Sequence, residues 1–393
     1  MTPPTAHLAL PFFDDVHREL GARLAGWIPD QQVDERDDRP ACREWVRRLG
    51  DAGWLRYCVP AGADGALGGI LERLDSRALV ILRETLAFHS PLADFAFAMQ
   101  GLGSGAITLA GTPEQQAAYL PQVASGAKIA AFALSEADAG SDAGAMTTSA
   151  APAAGGWAVN GSKTLISNGG IADFYVTFAK TDPAAGTRGI TAFIIDASAP
   201  GLDASEHIAV MSPHPLATLR FTDCRLDGGA QLGALNGGFK LAMRTLDIFR
   251  ASVAGAALGM ARRALLEAVR HAKTRTMFGQ TLAGFQLTEA KIGEMAALVD
   301  AAALLTYRAA WLRDEGERLG NPVRVTSEAA MAKMLATENA QRVIDMALQL
   351  HGGLGVKVGT KVESLYRDIR ALRIYEGATE VQQLIIGKAV LQS

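Results

Sequence analysis

The spacing of apolar residues changes twice along the chain. From about residue 12 to 127 they recur every three or four positions, as in CREWVRRLGDAGW and SRALVILRETLAFH, and this period is typical of amphipathic helices. Thr112, followed by Pro113 and Glu114, has the residue types of a helix start: a capping side chain, a proline in the first turn and an early acid. This first zone predicts a helical bundle.

In the middle zone, from about residue 128 to 234, β-branched and aromatic segments are separated by turn residues. WAVNGSKTLIS, DFYVTFAKT and GITAFIID are examples, and their composition is typical of strands. Asn160 and Gly161 lie between alternating flanks and predict a hairpin turn, because both residue types tolerate positive φ. We expect a small antiparallel sheet here.

The helical period returns from about residue 238 in stretches longer than ordinary globular helices. Helices of this length are stable when they pack against one another, within a bundle and across subunits. The predicted fold class is therefore α+β, mainly α. It comprises an N-terminal helical domain over residues 1–127, a middle antiparallel β domain over 128–234 and a C-terminal four-helix-bundle domain over 235–393.

Composition narrows the class of protein. The chain has 393 residues, 49% of them hydrophobic, and a formal net charge of -3, so it gives no broad electrostatic footprint for nucleic acid. Its three cysteines are far apart in sequence, which suits a reducing compartment. The first residues lack the features of a signal peptide, and no uninterrupted apolar run is long enough to cross a bilayer. We expect a cytoplasmic protein with no nucleic-acid and no membrane partner.

Motif searches remove several kinds of site. The histidines and cysteines show neither HExxH nor CxxC spacing, so no metal site is expected. GWAVNGSKT resembles a phosphate-binding loop, but Ser-Lys-Thr follows its second glycine and a hairpin explains it better. No G-x-G-x-x-G motif opens a helix after a strand. The glycine-rich stretches SEADAGSDAG, RTMFGQ and QLHGGLG remain, and they predict a ligand held between domains.

Several motifs in order make nearly the whole chain resemble the acyl-CoA dehydrogenase family. They are GTPEQQAAYLPQVASGAKIAAFALSEADAGSD, NGSKTLISNGGIADFYV, FRASVAGAALGMARRAL, RTMFGQTLAGFQ, QLHGGLG and RIYEGATEVQQLIIGKAVL. Members of this family are FAD-containing enzymes with the same helical, sheet, helical order. A run of ordered motifs is far more specific than any one of them.

The resemblance gives a chemical role to Glu376, which by itself reads as an ordinary helix-start acid. In the family, a base takes the proton beside a thioester carbonyl while hydride leaves the β-carbon for flavin N5, and a carboxylate in a dry pocket has a suitably raised pKa. Glu376 matches that base. Tyr375 and Ile374 are expected to form an apolar wall, and Gly377 lets backbone approach the ligand, where an N–H can polarise the thioester oxygen.

A second helix carries the base in some family members, at the position of Phe249, which cannot take a proton. The next residue, Arg250, matches the arginine near the active site. Asp247, one turn earlier, is expected as its partner or as a coenzyme A contact. The alternative for both is an ordinary pair inside a helical bundle.

The resemblance also assigns FAD contacts. Those along the ring and ribityl chain are Phe132, Leu134, Ser135, Gly140, Ser141 and Ser167. Ser141 also approaches the acyl-CoA. Those that receive the pyrophosphate and adenosine end across a dimer interface are Arg275, Phe278, Gln286, Gln349, Gly352 and Gly353. An arginine suits a diphosphate because its planar fork binds oxygens bidentately. Thr379 and Glu380 follow the base where the family again touches the cofactor.

Several positions depart from the family pattern. Ala137 and Asp138 stand where proline and glycine are common, and Ala378 stands where threonine is frequent, which shifts the hydroxyl to Thr379. Leu165 replaces the aromatic residue that usually covers one flavin face.

The expected function is FAD-dependent α,β-dehydrogenation of an acyl-CoA to the trans-2-enoyl-CoA, by a homotetramer or dimer that passes electrons to an electron-transfer flavoprotein. An acyl-carrier-protein thioester dehydrogenase and an acyl-CoA oxidase are alternatives on the same fold. A nitroalkane oxidase is disfavoured because that relative has aspartate at the position of Glu376. A non-catalytic flavin-containing binding protein is the alternative of another class, against which the complete base motif argues.

Overall fold

The order of elements is helical, sheet, helical, and the fold class predicted from the apolar pattern is confirmed. The computed structural model describes residues 1–320 and 325–392. These residues form two compact units, one of residues 1–32, 76–94 and those described from 250 onward, the other of residues 33–75 and 95–249. The three domain boundaries expected from the sequence stay a prediction.

The helices of the described residues follow the long apolar periods. They are α1 (Asp15–Trp27), α2 (Asp38–Asp51), α3 (Ser76–His89), α4 (Pro91–Ala110), α5 (Pro113–Ser125), α6 (Gly238–Thr274), α7 (Gln286–Arg318), α8 (Thr326–His351), α9 (Lys361–Leu372) and α10 (Thr379–Gln392).

The strands follow the β-branched segments. They are β1 (Ala130–Ala133), β2 (Ser149–Ala153), β3 (Gly156–Ser167), β4 (Phe174–Lys180), β5 (Ile190–Asp196), β6 (Leu202–Ile208), β7 (Leu216–Asp227) and β8 (Gln231–Leu232), with a small hairpin of β9 (Thr276–Met277) and β10 (Gln280–Thr281).

In the first unit, α8 packs against α7, α9 and α10, and α3 packs against α1 and α7. Helix α6 comes close to α3 through two glycines one turn apart. A Cβ at Gly259 would lie 2.1 Å from the carbonyl oxygen of Glu84, and one at Gly255 would lie 2.8 Å from that of Val80. The missing side chains therefore let the two backbones meet, and larger residues there would push the helices apart.

Among the described residues, one helix, α7, is as long and as apolar as a helix that crosses a membrane. The sequence had indicated no such run. One helix of this kind is weak evidence for a membrane, since a core helix passes the same test, and α7 has buried residues along its length from Thr288 to Gly316. The buried carboxylate of Asp314 accepts hydrogen bonds from the backbone N–H groups of Ser76 and Arg77, at the start of α3.

The second unit is built on an eight-stranded sheet with the order β6-β7-β3-β2-β4-β5-β8, and β1 pairs with β4. Most neighbours are antiparallel, as expected, but β1 and β2 both pair parallel to β4, so the sheet is mixed. The cap of α5 is confirmed: Thr112 accepts a hydrogen bond from the backbone N–H of Gln115, whose side chain accepts one from the N–H of Thr112.

The hairpin turn predicted at Asn160 and Gly161 is wrong. Both residues lie inside β3, and the turn between β2 and β3 falls at residues 154–155, where Gly155 has φ +77°. The register against β7 shifts between Val159 and Gly161, so the Asn-Gly pair marks a bulge instead. There the side chain of Asn160 accepts a hydrogen bond from the backbone N–H of Asp223 at 2.8 Å.

Candidate active site

The loop between α9 and α10, residues 373–378, carries the acid singled out from the sequence. Glu376 has φ +52° and Gly377 has φ +91°, so two consecutive residues adopt left-handed backbone conformations. Glycine adopts this region freely, but a glutamate there is strained. Strain of this kind persists only where the surroundings enforce it, and it is concentrated at functional sites.

The carboxylate of Glu376 is enclosed although the residue as a whole is half-buried. Its Oε2 atom is buried and has no hydrogen-bond partner within the part of the chain that the structure describes. Burial raises the pKa of Glu376 above its ordinary value, and the nearby cations Arg83, Lys333 and Arg250 oppose that rise. A carboxylate with an open lone pair and a raised pKa is suited to take a weakly acidic proton.

Two buried side chains hold the carbonyl groups of this loop. The Nζ of Lys333, on α8, donates to the carbonyl oxygen of Gly377 at 2.6 Å. The Nε2 of Gln382, on α10, donates to the same oxygen at 2.9 Å and to that of Glu376 at 3.4 Å. Both side chains belong to residues with no exposed surface, and burial lowers the pKa of Lys333 to about 8.

The two ends of the loop are joined through Glu338 on α8. Its carboxylate accepts from Arg373 at 2.8 Å and from the Thr379 hydroxyl at 2.6 Å. The hydroxyl of Thr379 is thus engaged in holding the start of α10. Glu380, the next residue, is exposed.

Behind the loop lies a buried ion pair between Arg83 on α3 and Asp94 on α4, with nitrogen–oxygen distances of 2.8 and 2.9 Å. Arg83 also donates to the hydroxyl of Ser252 at 3.1 Å and hydrogen-bonds to Tyr375. Burial raises the pKa of Tyr375, which keeps the phenol protonated. Tyr375 is half-buried, but Ile374 is exposed, so the apolar wall expected from both residues is not formed by Ile374.

The α6 residues differ in their surroundings. Arg250 is buried and acts electrostatically on both Glu376 and Lys333, so the structure brings it close to the loop of residues 373–378. Asp247, one turn earlier, is half-buried. Phe249 is buried against α4, where a Cβ at Gly101 or Gly105 would lie 2.7 or 2.9 Å from its ring. Phe249 is therefore a packing residue, and its side chain has no group that could act as a base.

The residues expected along the flavin ring lie in the second unit on two adjacent segments. The segment after β1 meets β3. The Nζ of Lys163 donates to the carbonyl oxygen of Leu134 at 3.0 Å, and the backbone N–H of Thr164 donates to that of Ser135 at 3.0 Å. Phe132 packs on Phe178. On the same two segments, Gly140 and Ser141 are exposed and Ser167 is half-buried.

Leu165 projects outward from a bulge. The register of β3 against β7 shifts between Lys163 and Ile166, and Leu165 has φ +55°. Its side chain is 58% exposed although its neighbour Ile166 is buried. A bulge re-aims a side chain in this way, so an apolar group stands on the surface of the sheet domain.

The residues expected to contact the pyrophosphate and adenosine of FAD lie near the exposed ends of long helices in the first unit. Arg275 follows α6, Phe278 is 88% exposed at the tip of the β9–β10 hairpin, and Gln286 begins α7. Gln349, Gly352 and Gly353 lie at the end of α8. The rings of His271 and His351 stack with centroids 4.2 Å apart and join the ends of α6 and α8.

The glycines and the arginine expected at the cofactor fit the binding of FAD. A Cβ added at Gly140, Gly352 or Gly353 would meet no atom within 4 Å, so each of these glycines borders open space. Arg275 is an exposed cation suited to a diphosphate. Among the described residues, no cluster of histidine, cysteine and acidic side chains has the geometry of a metal site.

Sequence reasoning missed Lys333, Gln382, Glu338 and Arg83. Lys333 falls on the buried alanine stripe of α8, with Ala329, Ala336 and Ala340 at helical spacing. A lysine on the apolar face of a helix is the one sequence signal for such a residue. The same pattern is also typical of a surface lysine whose aliphatic stem covers the core.

Comparison with known proteins shows which family the chain is similar to. The N-terminal, middle and C-terminal domain models of acyl-CoA dehydrogenase match residues 23–127, 131–224 and 236–391. The chain is 38% identical over 365 residues to the human mitochondrial short-chain specific acyl-CoA dehydrogenase, covering 92% of this chain and 85% of the relative.

Two further relatives were compared. The chain is 37% identical over 364 residues to the caffeyl-CoA reductase-Etf complex subunit CarC of Acetobacterium woodii, covering 92% of each protein. The structure of butyryl-CoA dehydrogenase from Megasphaera elsdenii is similar with a TM-score of 0.85 and 31% identity, covering 96% of this chain and 99% of that one.

Proposed function

The chain belongs to the acyl-CoA dehydrogenase family, and on that premise we propose that it oxidises an acyl-CoA thioester between its α- and β-carbons with Glu376 as the base. The observation that carries the proposal is the buried Oε2 of Glu376, which lacks a hydrogen-bond partner among the described residues on a strained loop beside three cations. An unsatisfied buried acceptor is costly to the fold, so it favours a role in chemistry.

FAD is the cofactor and, when bound, supplies the acceptor for the hydride that leaves the β-carbon. The α-proton passes to the carboxylate of Glu376, and the two electrons of the α-C–H bond form the new double bond. Arg83, Lys333 and Arg250 oppose the effect of burial and favour the ionised form of the carboxylate. Burial keeps it basic enough to accept the proton.

The reaction is reversible, and the direction depends on the electron partner. One relative is a dehydrogenase, and another is a subunit of a reductase complex with Etf. For this chain we propose an acyl-CoA substrate, an electron-transfer flavoprotein as partner and a location in the cytoplasm.

A homo-oligomer is part of the same proposal. Phe278 and Leu287 are 88% and 85% exposed at the β9–β10 hairpin and the start of α7, and Leu384 and Leu391 are 74% and 89% exposed on α10. Exposed apolar side chains in such numbers favour contact with another subunit.

Anaerobic mixing of the flavin-loaded protein with a panel of acyl thioesters tests the function. Bleaching of the flavin by one acyl-CoA class, with release of the enoyl product, is expected. The panel includes acyl-carrier-protein thioesters, whose selective reaction would support that alternative. Dithionite-reduced protein mixed with enoyl-CoA tests the reverse direction. A flavoprotein that binds acyl-CoA without electron transfer in either direction would overturn the proposal in favour of a binding protein.

An acyl-CoA oxidase is the second candidate. It is favoured by Leu165, which is exposed and offers no aromatic face to shield one side of the flavin. Oxygen consumption during turnover distinguishes the two.

A further inference from the structure

We propose that Lys333 and Gln382 are positioning residues that together hold the loop of Glu376 in its reactive conformation. The inference rests on the proposed function and assigns a role to two side chains that do not touch the reacting atoms. Three observations carry it: the left-handed backbone of Glu376, the convergence of two donors on one carbonyl and the complete burial of both donors.

The two donors fix consecutive peptide groups. A carbonyl oxygen has two lone pairs, and that of Gly377 receives Lys333 at 2.6 Å and Gln382 at 2.9 Å. Gln382 also reaches the carbonyl oxygen of Glu376 at 3.4 Å. Because the peptide unit is planar, holding each carbonyl also sets the direction of the N–H that follows it. The rotation on either side of Gly377 is thereby restricted.

Without these bonds the loop has an easier alternative. Glu376 at φ +52° is in a region that costs a non-glycine residue on the order of 1 kcal/mol or more. Release of the carbonyl groups lets Glu376 return to an ordinary conformation, which turns its Cα–Cβ bond away. Small misplacements of a catalytic group reduce rates steeply.

The arrangement of Gly377 is consistent with a close fit. A Cβ there would lie 2.4 Å from Nε2 of Gln382, so any other residue would displace the amide that holds the loop. Glycine at this position therefore permits both the backbone angle and the hydrogen bond.

Lys333 also places a positive charge beside the base. The charged groups that act on Glu376 are Arg83, Lys333, Arg250 and Asp94. Removing one of the three cations makes the carboxylate harder to ionise, so the pKa of Glu376 rises. A structural role alone would not move the pH dependence of proton abstraction in this direction.

The test uses the flavin-loaded protein and the variants Lys333→Met, Gln382→Met and the double variant. Methionine is close in size to both residues and cannot donate. The readouts are the rate of anaerobic flavin reduction against pH, the affinity for the enoyl-CoA product and hydrogen exchange of residues 373–380. Lys361→Met is the matched control, because Lys361 also donates to a backbone carbonyl, that of His89 at 3.3 Å, away from this loop.

We expect Gln382→Met to slow reduction roughly fivefold, the equivalent of one ordinary hydrogen bond, and Lys333→Met to slow it on the order of tenfold to a hundredfold, as for a charged donor. The double variant should lose less than the product of the two, since both donors act on one carbonyl. Exchange in the loop should rise in both variants. Lys333→Met alone should shift the acidic limb of the rate profile to higher pH.

Rates within twofold of the unmodified protein, with unchanged exchange and pH profile, would overturn the proposal. If Lys333→Met yields no soluble flavoprotein, Gln382→Met and Lys333→Arg carry the test. The arginine variant should retain the pH profile of the unmodified protein, and a shift of its acidic limb to higher pH would argue against the proposal. Glu376→Gln separates the two proposals. Should that variant reduce its flavin normally, the base assignment fails, whereas slow reduction in Glu376→Gln with normal Lys333 and Gln382 variants defeats only the positioning role.

Discussion

A single carboxylate oxygen distinguishes Glu376 from the other acids near it. Asp94 is bound bidentately by Arg83, and Glu338 is bound by Arg373 and Thr379, so their oxygens are engaged. Oε2 of Glu376 is buried with no such partner among the described residues. The free acceptor is therefore at the position that the family resemblance assigns to the base.

Glu376→Gln should retain FAD and bind acyl-CoA but reduce its flavin about a hundredfold to ten-thousandfold more slowly, because an amide cannot take the proton. Rapid-mixing absorbance at the flavin band measures the rate. Product affinity and flavin content serve as controls for folding. Reduction at a near-normal rate would move the base to another residue.

Leu165 stands where an aromatic residue is usual, on a bulge that turns it outward. We expect the substrate-reduced protein to reoxidise in air faster than its Leu165→Trp variant, because a larger aromatic group shields the ring better and can stack on it. Stopped-flow reoxidation at matched oxygen concentration compares them, with Leu165→Met as a size control. Equal or faster reoxidation of the tryptophan variant would make Leu165 a packing residue and weaken the oxidase alternative.

Residues whose role depends on a local motif could be predicted from the sequence, and those that depend on long-range contacts could not. Glu376 was found because IYEGATE resembles the family motif. Lys333 donates to a residue 44 positions away. No local pattern reveals that contact, because a lone lysine on an apolar helix face is compatible with a surface location.

Elements were predicted where one periodicity dominates a long stretch. The helices and most strands follow that rule, as does the cap of α5. The Asn-Gly signal failed because the register of β3 is set by its pairing with β7 along 12 residues, which outweighs a two-residue preference. The parallel pairing of β1 and β2 with β4 was also missed, since alternation does not encode strand direction.

Thr112→Ala tests the cap that the sequence predicted. The variant loses the acceptor for the N–H of Gln115, whose side chain also donates to the carbonyl oxygens of Gly229 and Gln231 at 2.8 and 2.9 Å. We expect a loss of about 1 kcal/mol in the free energy of unfolding. Urea denaturation measures it, and Thr112→Ser, which keeps the hydroxyl, should remain near the unmodified protein. An unchanged midpoint in Thr112→Ala would show that the hydroxyl contributes nothing there.

At the scale of the whole molecule, the exposed residues near the ends of α6 and α8 bear on how subunits associate. Arg275, Phe278 and Gln349 are exposed in one chain, and the family resemblance assigns them to FAD across a subunit interface. We expect a yellow oligomer that loses FAD when it is driven to monomers by dilution or mild chaotrope. Light scattering with simultaneous flavin absorbance tests this. A stable monomer that keeps its flavin would contradict a shared site.

Lys333 also has a thermodynamic consequence for the molecule. Burial lowers its pKa from 10.5 to about 8 in the folded chain. Between those values the unfolded chain binds the extra proton, so raising the pH should favour the folded state, by at most about 3 kcal/mol. Urea denaturation of the protein and of Lys333→Met at several pH values between 8 and 10 should show a steeper rise in the former, since Lys163, whose pKa burial also lowers to about 8, contributes equally to both. Parallel pH dependence in both would exclude it.

The same linkage means that the charged form of this lysine has a free-energy cost at neutral pH that disappears at higher pH. At neutral pH the protein holds a buried ammonium group, and its desolvation is opposed by the carbonyl oxygen of Gly377 and the carboxylate of Glu376. Lys333→Met removes both the desolvation cost and these compensating interactions, so at neutral pH its free energy of unfolding is expected to change less than its rate of flavin reduction.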